Sequence, residues 1–193
     1  ALLSRGLGDV YKRQFLIYIK LKELCEDKKN LYPMSSFSIM SLNIAFPVLI
    51  IQIILGVWLS SNYASLACPD FPLCQGQIIP EVDFKMGFNF LQSIGPDYLG
   101  GQLDHEARLA IHVVHRFGAA VVTAYFLFLI VILAKENQYR FAKILTALLF
   151  LQVALGISNI IYSLPLYVAI AHNLGALLLL ISISYFRLKV SGR

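Results

Sequence analysis

Charged residues are scarce in this chain. Of its 193 residues, only 14% are Asp, Glu, Lys or Arg, whereas 58% are hydrophobic, and the mean hydropathy is +0.70. Because a soluble globular domain carries about 25% charged residues, this shortage excludes that class. No basic cluster interleaves with aromatic residues in a polar segment, so we expect no nucleic-acid partner despite the net charge of +5. The composition indicates a membrane protein.

Cysteine is also rare, with three in the whole chain. Cys68 and Cys74 lie close together in a polar segment with two prolines between them, and the absence of a nearby histidine argues against a zinc site. A disulfide that closes a small ring and a pair of free thiols are the readings that remain. We expect the disulfide, and we expect Cys25 to be an unpaired thiol.

Long apolar runs account for the excess of hydrophobic residues. Four of them can cross a hydrocarbon core of about 30 Å at about 1.5 Å per residue. Each is predicted to be helical, because lipid offers no partner for a backbone amide. The runs are Leu42–Asn62, Arg108–Ala134, Phe141–Tyr162 and Tyr167–Phe186. We predict an all-α membrane protein whose residues 41–190 form an antiparallel bundle of four transmembrane helices.

Positive charge is nearly absent from the long connection, residues 63–107, where Lys85 stands among six acidic residues. Basic residues cluster instead before the first run, between the second and third, and after the fourth. By the positive-inside rule both ends of the bundle's chain are cytoplasmic and the long loop lies outside. We expect a protein integral to the bacterial cytoplasmic membrane.

Two histidines occupy equivalent places in an internal repeat. A Gln-x-x-Leu-Gly pattern in the first and third runs is followed by a His-x-x-Gly-Ala pattern in the second and fourth, so the two hairpins are parallel repeats. The repeated residues are Gln52, Gly56, His115 and Gly118, then Gln152, Gly156, His172 and Gly175. Two imidazoles at a common centre suit a six-coordinate haem iron. We therefore predict His115 and His172 as axial iron ligands.

Two further polar residues flank the first of these histidines. His112, one helical turn earlier, is a weaker candidate ligand, and we expect it to form a hydrogen bond or to contact a haem propionate. Arg116 is costly in lipid unless paired. A haem propionate is one partner for it, and a salt bridge to Glu106 or Asp104 is the alternative.

Polar side chains in the first and third runs have a simpler explanation. Gln52 and Gln152 stand at equivalent positions of the repeat and are expected to hydrogen-bond across helices, at about 1 kcal/mol or less each.

Three stretches of the sequence resemble the C-terminal half of haem A synthases of the proteobacterial kind. They are residues 60–76 with Cys68 and Cys74, residues 110–116 with the His-Arg pair, and residues 164–173 with Ala-His-Asn; the whole resemblance covers 15–186. It implies eight transmembrane helices in two halves, one half holding haem b and the other oxidising the C8 methyl of haem O to a formyl group. The matched axial ligands are His115 and His172.

One departure decides which half the chain resembles. The family's substrate half has a glutamate three residues before the His-Arg histidine, whereas this chain has His112 there. The resemblance thus implies the cofactor half of an oxidoreductase, with the catalytic residues of the reaction elsewhere. A bis-histidine cytochrome b without catalysis is the alternative, although the Cys68/Cys74 loop favours the synthase. A haem-free assembly or transport protein would leave the histidines unexplained.

The beginning of the chain does not fit the bundle. Residues 1–14 resemble translated adapter sequence, and residues 15–40 look like the end of an upstream helix followed by a cytoplasmic linker. We therefore expect a missing upstream half. The partners that the resemblance implies are haem O and haem A through that half, membrane lipid, and haem O synthase or terminal oxidase assembly factors.

Overall fold

The computed structural model of the chain describes residues 32–78, 80–91 and 103–192. The predicted segment 1–14, most of the predicted linker and Cys25 lie outside these residues. The elements in chain order are β1 (Tyr32–Met34), α1 (Ser36–Ser61), α2 (Phe84–Gly87), α3 (His105–Lys135), α4 (Tyr139–Ile161), α5 (Leu166–Lys189) and β2 (Val190–Gly192).

The four long helices confirm the four predicted spans. α1, α3, α4 and α5 are each long and apolar enough to cross a membrane, and each extends a few residues beyond its predicted span. The extension of α1 has a local cause, because the Ser35 side chain accepts a hydrogen bond from the Ser38 N–H and so caps the helix at Ser36. Such caps begin helices at polar residues that a hydropathy window omits.

The helices form a closed ring in which α1 packs against α3 and α5, and α4 packs against the same two helices. Residues 136–138 join α3 to α4 and residues 162–165 join α4 to α5, which makes both pairs antiparallel. α1 and α3 are antiparallel too, since Ser41 contacts Tyr125 while Gln52 contacts His115. The predicted all-α antiparallel bundle is therefore confirmed, with one addition: β1 and β2 pair in parallel as a short sheet.

The two ends of the bundle differ. We call the end that carries residues 62–78, 80–91 and 103–104 the loop end and the end that carries β1 and β2 the sheet end. The main core fills the sheet-end half with fully buried side chains such as Leu42, Phe126, Leu129 and Ile183. Two smaller apolar clusters lie beneath the long connection at the loop end. The repeated glutamines and histidines lie between the main core and these clusters.

A carboxylate at the sheet end links α1 to α3 through hydrogen bonds. Glu136, which follows α3, accepts hydrogen bonds from the Ser35 N–H at 3.2 Å, from the Ser35 hydroxyl at 2.6 Å and from the Ser38 hydroxyl at 2.7 Å. Hydrogen bonds to a charged acceptor are stronger than neutral ones. Glu136 thus holds the first turn of α1 against the end of α3.

Replacing Glu136 by Ala should lower the free energy of unfolding by about 2 kcal/mol, because three donors lose a charged acceptor. Denaturant unfolding in detergent, followed by far-UV circular dichroism, measures the change. Lys135→Ala is the matched control, since Lys135 is exposed at the adjacent position. Equal effects of the two substitutions would show that the serine cluster does not stabilise the fold.

Candidate functional site

The first hairpin brings His115 of α3 against Gln52 and Gly56 of α1. The Gln52 amide nitrogen lies 3.0 Å from the His115 carbonyl oxygen and 3.3 Å from its ring Nδ1. A Cβ atom on Gly56 would lie 3.2 Å from the ring Cε1, and a Cβ atom on Gly118 would overlap the Gln52 Oε1. Each long polar side chain therefore lies opposite a glycine on the facing helix.

The second hairpin repeats this arrangement. The Gln152 amide nitrogen of α4 lies 3.3 Å from the His172 Nε2 of α5. A Cβ atom on Gly156 would lie 3.1 Å from the His172 Cε1, and one on Gly175 would overlap the Gln152 Oε1. These matching contacts confirm that the bundle is built from two repeated hairpins.

The two imidazoles lie in the loop-end half of one bundle. His115 is ten residues into α3, or about 15 Å, and His172 is six residues into α5, or about 9 Å, both counted along the helix from its loop-end start. Both rings are half-buried. Within the described ranges, no group of three or more His, Cys, Asp and Glu side chains could hold a metal ion. The pair of imidazoles is the donor set that the hairpins bring together.

The segment after α1 is a closed loop above this pair. Cys68 and Cys74 form the expected disulfide, with their Cα atoms 4.7 Å apart, and both are buried. The Asp70 carboxylate accepts hydrogen bonds from the Gln75 N–H at 2.6 Å and the Gly76 N–H at 2.8 Å. The Gly76 N–H is the main cause that holds the pKa of Asp70 below its usual value. We call residues 64–76 the disulfide loop.

His112 contacts the disulfide loop. Its side chain is 3% exposed, and its Nδ1 lies 3.0 Å from the Ala64 carbonyl oxygen and 3.4 Å from the Cys68 backbone nitrogen. Nδ1 donates to the Ala64 carbonyl in one tautomer and accepts from the Cys68 N–H in the other. His112 therefore has the hydrogen-bonding role that the sequence suggests, with the loop backbone as its partner.

Arg116 also contacts the loop, one residue beyond His115. Its guanidinium donates to the carbonyl oxygens of Cys68 and Leu73, both at 2.8 Å, and of Asp70 at 2.9 Å. In the part of the chain that the structure describes, these carbonyls take the place of the salt bridge to Glu106 or Asp104. The Arg116 Nε is buried there without a hydrogen-bond partner. The sequence alternatives named only charged partners, so they missed backbone carbonyls.

Reasoning from the sequence also missed what the two glutamines contact. It expected Gln52 and Gln152 to bond across helices, which they do, but it did not pair them with the histidines. The signal was present in the repeat. A glutamine four residues before one glycine, and a histidine three residues before another, place all four residues on facing stripes of two antiparallel helices.

The family model for the COX15-CtaA cytochrome oxidase assembly proteins matches residues 11–184. The haem A synthase of Shewanella oneidensis is 43% identical over 143 residues, which are 72% of this chain and 43% of that protein. The haem A synthase of Rickettsia prowazekii is 30% identical over 182 residues, or 91% of this chain and 50% of that protein. That of Wolbachia pipientis is 32% identical, over 72% of this chain and 36% of the relative. No solved structure matches the chain.

Cys68 and Cys74 should be joined in the mature protein, since their Cα atoms are 4.7 Å apart in a loop expected to face an oxidising compartment. Mass analysis of a proteolytic peptide that contains both cysteines, with and without reductant, measures this. A gain of about two daltons on reduction is expected for one disulfide. An unchanged mass would mean two free thiols.

Replacing Arg116 by Ala should expose the disulfide loop to protease, because the carbonyl oxygens of Cys68, Asp70 and Leu73 lose their shared charged donor. The initial rate of cleavage within residues 64–76 should rise several-fold in limited proteolysis. Lys85→Ala serves as the control, since Lys85 is an exposed cation of the same connection. Unchanged cleavage in the Arg116 variant would show that Arg116 does not hold the loop.

Proposed function

We propose that this chain, which belongs to the haem A synthase family of cytochrome oxidase assembly proteins, holds one haem b between His115 and His172. Its role is that of the C-terminal, cofactor-bearing half of an oxidoreductase of haem A biosynthesis. The paired hairpins carry this proposal, because each places one imidazole at the same position of the repeat in the loop-end half of the bundle.

The residues present fit a haem with two histidine ligands. An axial histidine needs one ring nitrogen free for iron while the other keeps its proton and finds a partner. The His172 Nδ1 is buried without a partner among the described residues, while its Nε2 faces Gln152. His115 likewise turns one nitrogen to Gln52. Each ring therefore has one nitrogen beside a glutamine amide, Nδ1 in His115 and Nε2 in His172, and the proposal assigns the other nitrogen of each ring to the metal.

The surrounding residues would hold and shield the haem. Bound between two imidazoles, haem b supplies one-electron transfer. His115 and His172 fix its position, and the main core closes the sheet side of the site. On the other side Arg116 and His112 hold the disulfide loop, which keeps water from the histidines. A haem propionate remains a proposed second partner of Arg116, through its unpartnered Nε.

The chain spans about half or less of the length of the curated relatives named above. We therefore propose that substrate oxidation belongs to another part of the whole protein, which would bind haem O and convert its C8 methyl to the formyl group of haem A. The role of this half would be to exchange electrons with that part or to support it. Haem O synthase and terminal oxidase assembly factors are proposed partners.

The proposed location is the bacterial cytoplasmic membrane, with both ends of the four-helix bundle on the cytoplasmic side. The charge asymmetry supports this orientation. Arg140, Lys143 and Arg187 lie at the sheet end, whereas the loop end carries Asp70, Asp83 and other acidic residues. The disulfide loop would then face the oxidising side.

Purified with haem b, the chain should show the sharp reduced α-band of a low-spin iron, because two imidazoles impose a strong ligand field. Replacing His115 or His172 by Ala should abolish that band through conversion to high spin or loss of haem. His112→Ala is the matched control, since His112 bonds the loop and should leave the band in place. Visible spectra of the three variants measure the outcome.

A His112 variant without the band, together with a His115 variant that keeps it, would show that the ligand is His112. A chain that binds no haem would refute the site altogether. Haem A formation in cells separates the synthase from a plain cytochrome b. In the whole protein, His115→Ala should stop haem A accumulation in extracted pigments if this half serves the synthase, and should leave it unchanged otherwise.

A further inference from the structure

We propose that Gln52 and Gln152 are positioning residues that each hold one imidazole for axial ligation, and that Gly118 and Gly175 are glycines because these glutamines need the space. This inference rests on the proposed haem site and deepens it. It concerns how the ligands are oriented and tuned.

The first observation is that the two glutamines make the same kind of contact. In each hairpin the amide nitrogen lies 3.3 Å from a ring nitrogen of the histidine across the helix pair, Nδ1 in His115 and Nε2 in His172. Both copies of the repeat thus place a glutamine amide against an imidazole. A packing role alone gives no reason for an amide to face a ring nitrogen twice.

The second observation concerns the other end of each amide. Both Oε1 atoms are buried and have no hydrogen-bond partner within the residues that the structure describes. An unpaired buried carbonyl oxygen destabilises a fold. Each of these oxygens also points at a glycine whose missing side chain leaves its space, Gly118 for Gln52 and Gly175 for Gln152. The fold therefore keeps two unsatisfied acceptors next to the two candidate ligands.

Iron ligation gives these acceptors a use. A neutral imidazole that donates one lone pair to iron carries its proton on the other nitrogen, which is the nitrogen that faces the glutamine. That N–H needs an acceptor, and the Oε1 of the same amide supplies one when the amide turns over by half a rotation. Among the described residues Gln152 makes no second hydrogen bond that opposes this turn, whereas Gln52 also donates to the His115 carbonyl at 3.0 Å.

A hydrogen-bond acceptor on the ligand makes the imidazole more basic and so stabilises the oxidised iron. Removing the acceptor should raise the midpoint potential of the haem, and a stronger acceptor should lower it. A residue that merely fills space would not give opposite shifts for substitutions of similar size.

The experiment measures the midpoint potential of the full chain with haem b bound, in detergent, for variants at each glutamine. Gln152→Leu and Gln52→Leu remove the acceptor and should raise the potential while keeping the low-spin band. Gln152→Glu and Gln52→Glu supply a stronger acceptor and should lower it. Thr123→Val is the control, because its hydroxyl bonds the Ala119 carbonyl within α3, away from the ring, and the potential should not change.

A second set of variants tests the glycines. Gly175→Ala and Gly118→Ala should displace the glutamine amides and shift the potential in the direction of the Leu variants. Potentials equal to that of the unaltered chain, or the same shift for Leu and Glu, would overturn the positioning role while leaving the haem site intact. An unaltered chain that binds no haem would overturn the proposed function itself, so the two failures are distinguishable. If a Leu variant does not fold, the Glu variant of similar shape still decides by the sign of its shift.

Discussion

The close approach of helices at four glycines is the constraint on which the rest of the bundle depends. In lipid, apolar side chains gain little by leaving the solvent, so helices associate through tight packing and polar contacts. Here each hairpin alternates a long polar side chain with a glycine on both helices, so that Gln52 faces Gly118 and His115 faces Gly56. A larger residue at either glycine would separate the helices and move the ring. The position of the histidines is therefore a consequence of backbone proximity.

The two hairpins share this constraint and differ at the loop end. Ala169 and Asn173 stand where the first hairpin has His112 and Arg116, and residues 162–165 replace the long connection. The second hairpin therefore lacks the side chains that hold a loop. The described contacts of His112 and Arg116 with the disulfide loop come from the first hairpin, while the second supplies His172, whose Nδ1 is buried without a hydrogen-bond partner among the described residues. The repeat thus accounts for the paired histidines and glutamines. The differences between the two hairpins account for the disulfide loop that the first hairpin holds.

How far the sequence predicts this structure depends on which group each residue contacts. The spans followed from hydropathy and the equivalence of His115 and His172 from the repeat, since both are patterns in the order of residues. The contact of Ser35 with Glu136 joins residues 101 positions apart with no repeated pattern. The partners of Arg116 are backbone carbonyls, which every residue possesses. A backbone carbonyl cannot be recognised as a partner from the residue type, so only the path of the loop in the structure shows which carbonyls Arg116 contacts.

The disulfide loop and Arg116 are mutually dependent for a physical reason. A guanidinium near the membrane is tolerated when its donors are satisfied, and carbonyls of Cys68, Asp70 and Leu73 converge on it only because the chain turns back on itself between them. The disulfide and the Asp70 carboxylate hold that turn. Without Arg116, the turn would present three carbonyl oxygens with no common donor. Because Arg116 directly follows His115 in α3, the order of the loop and the position of the His115 ring are linked through one helical step.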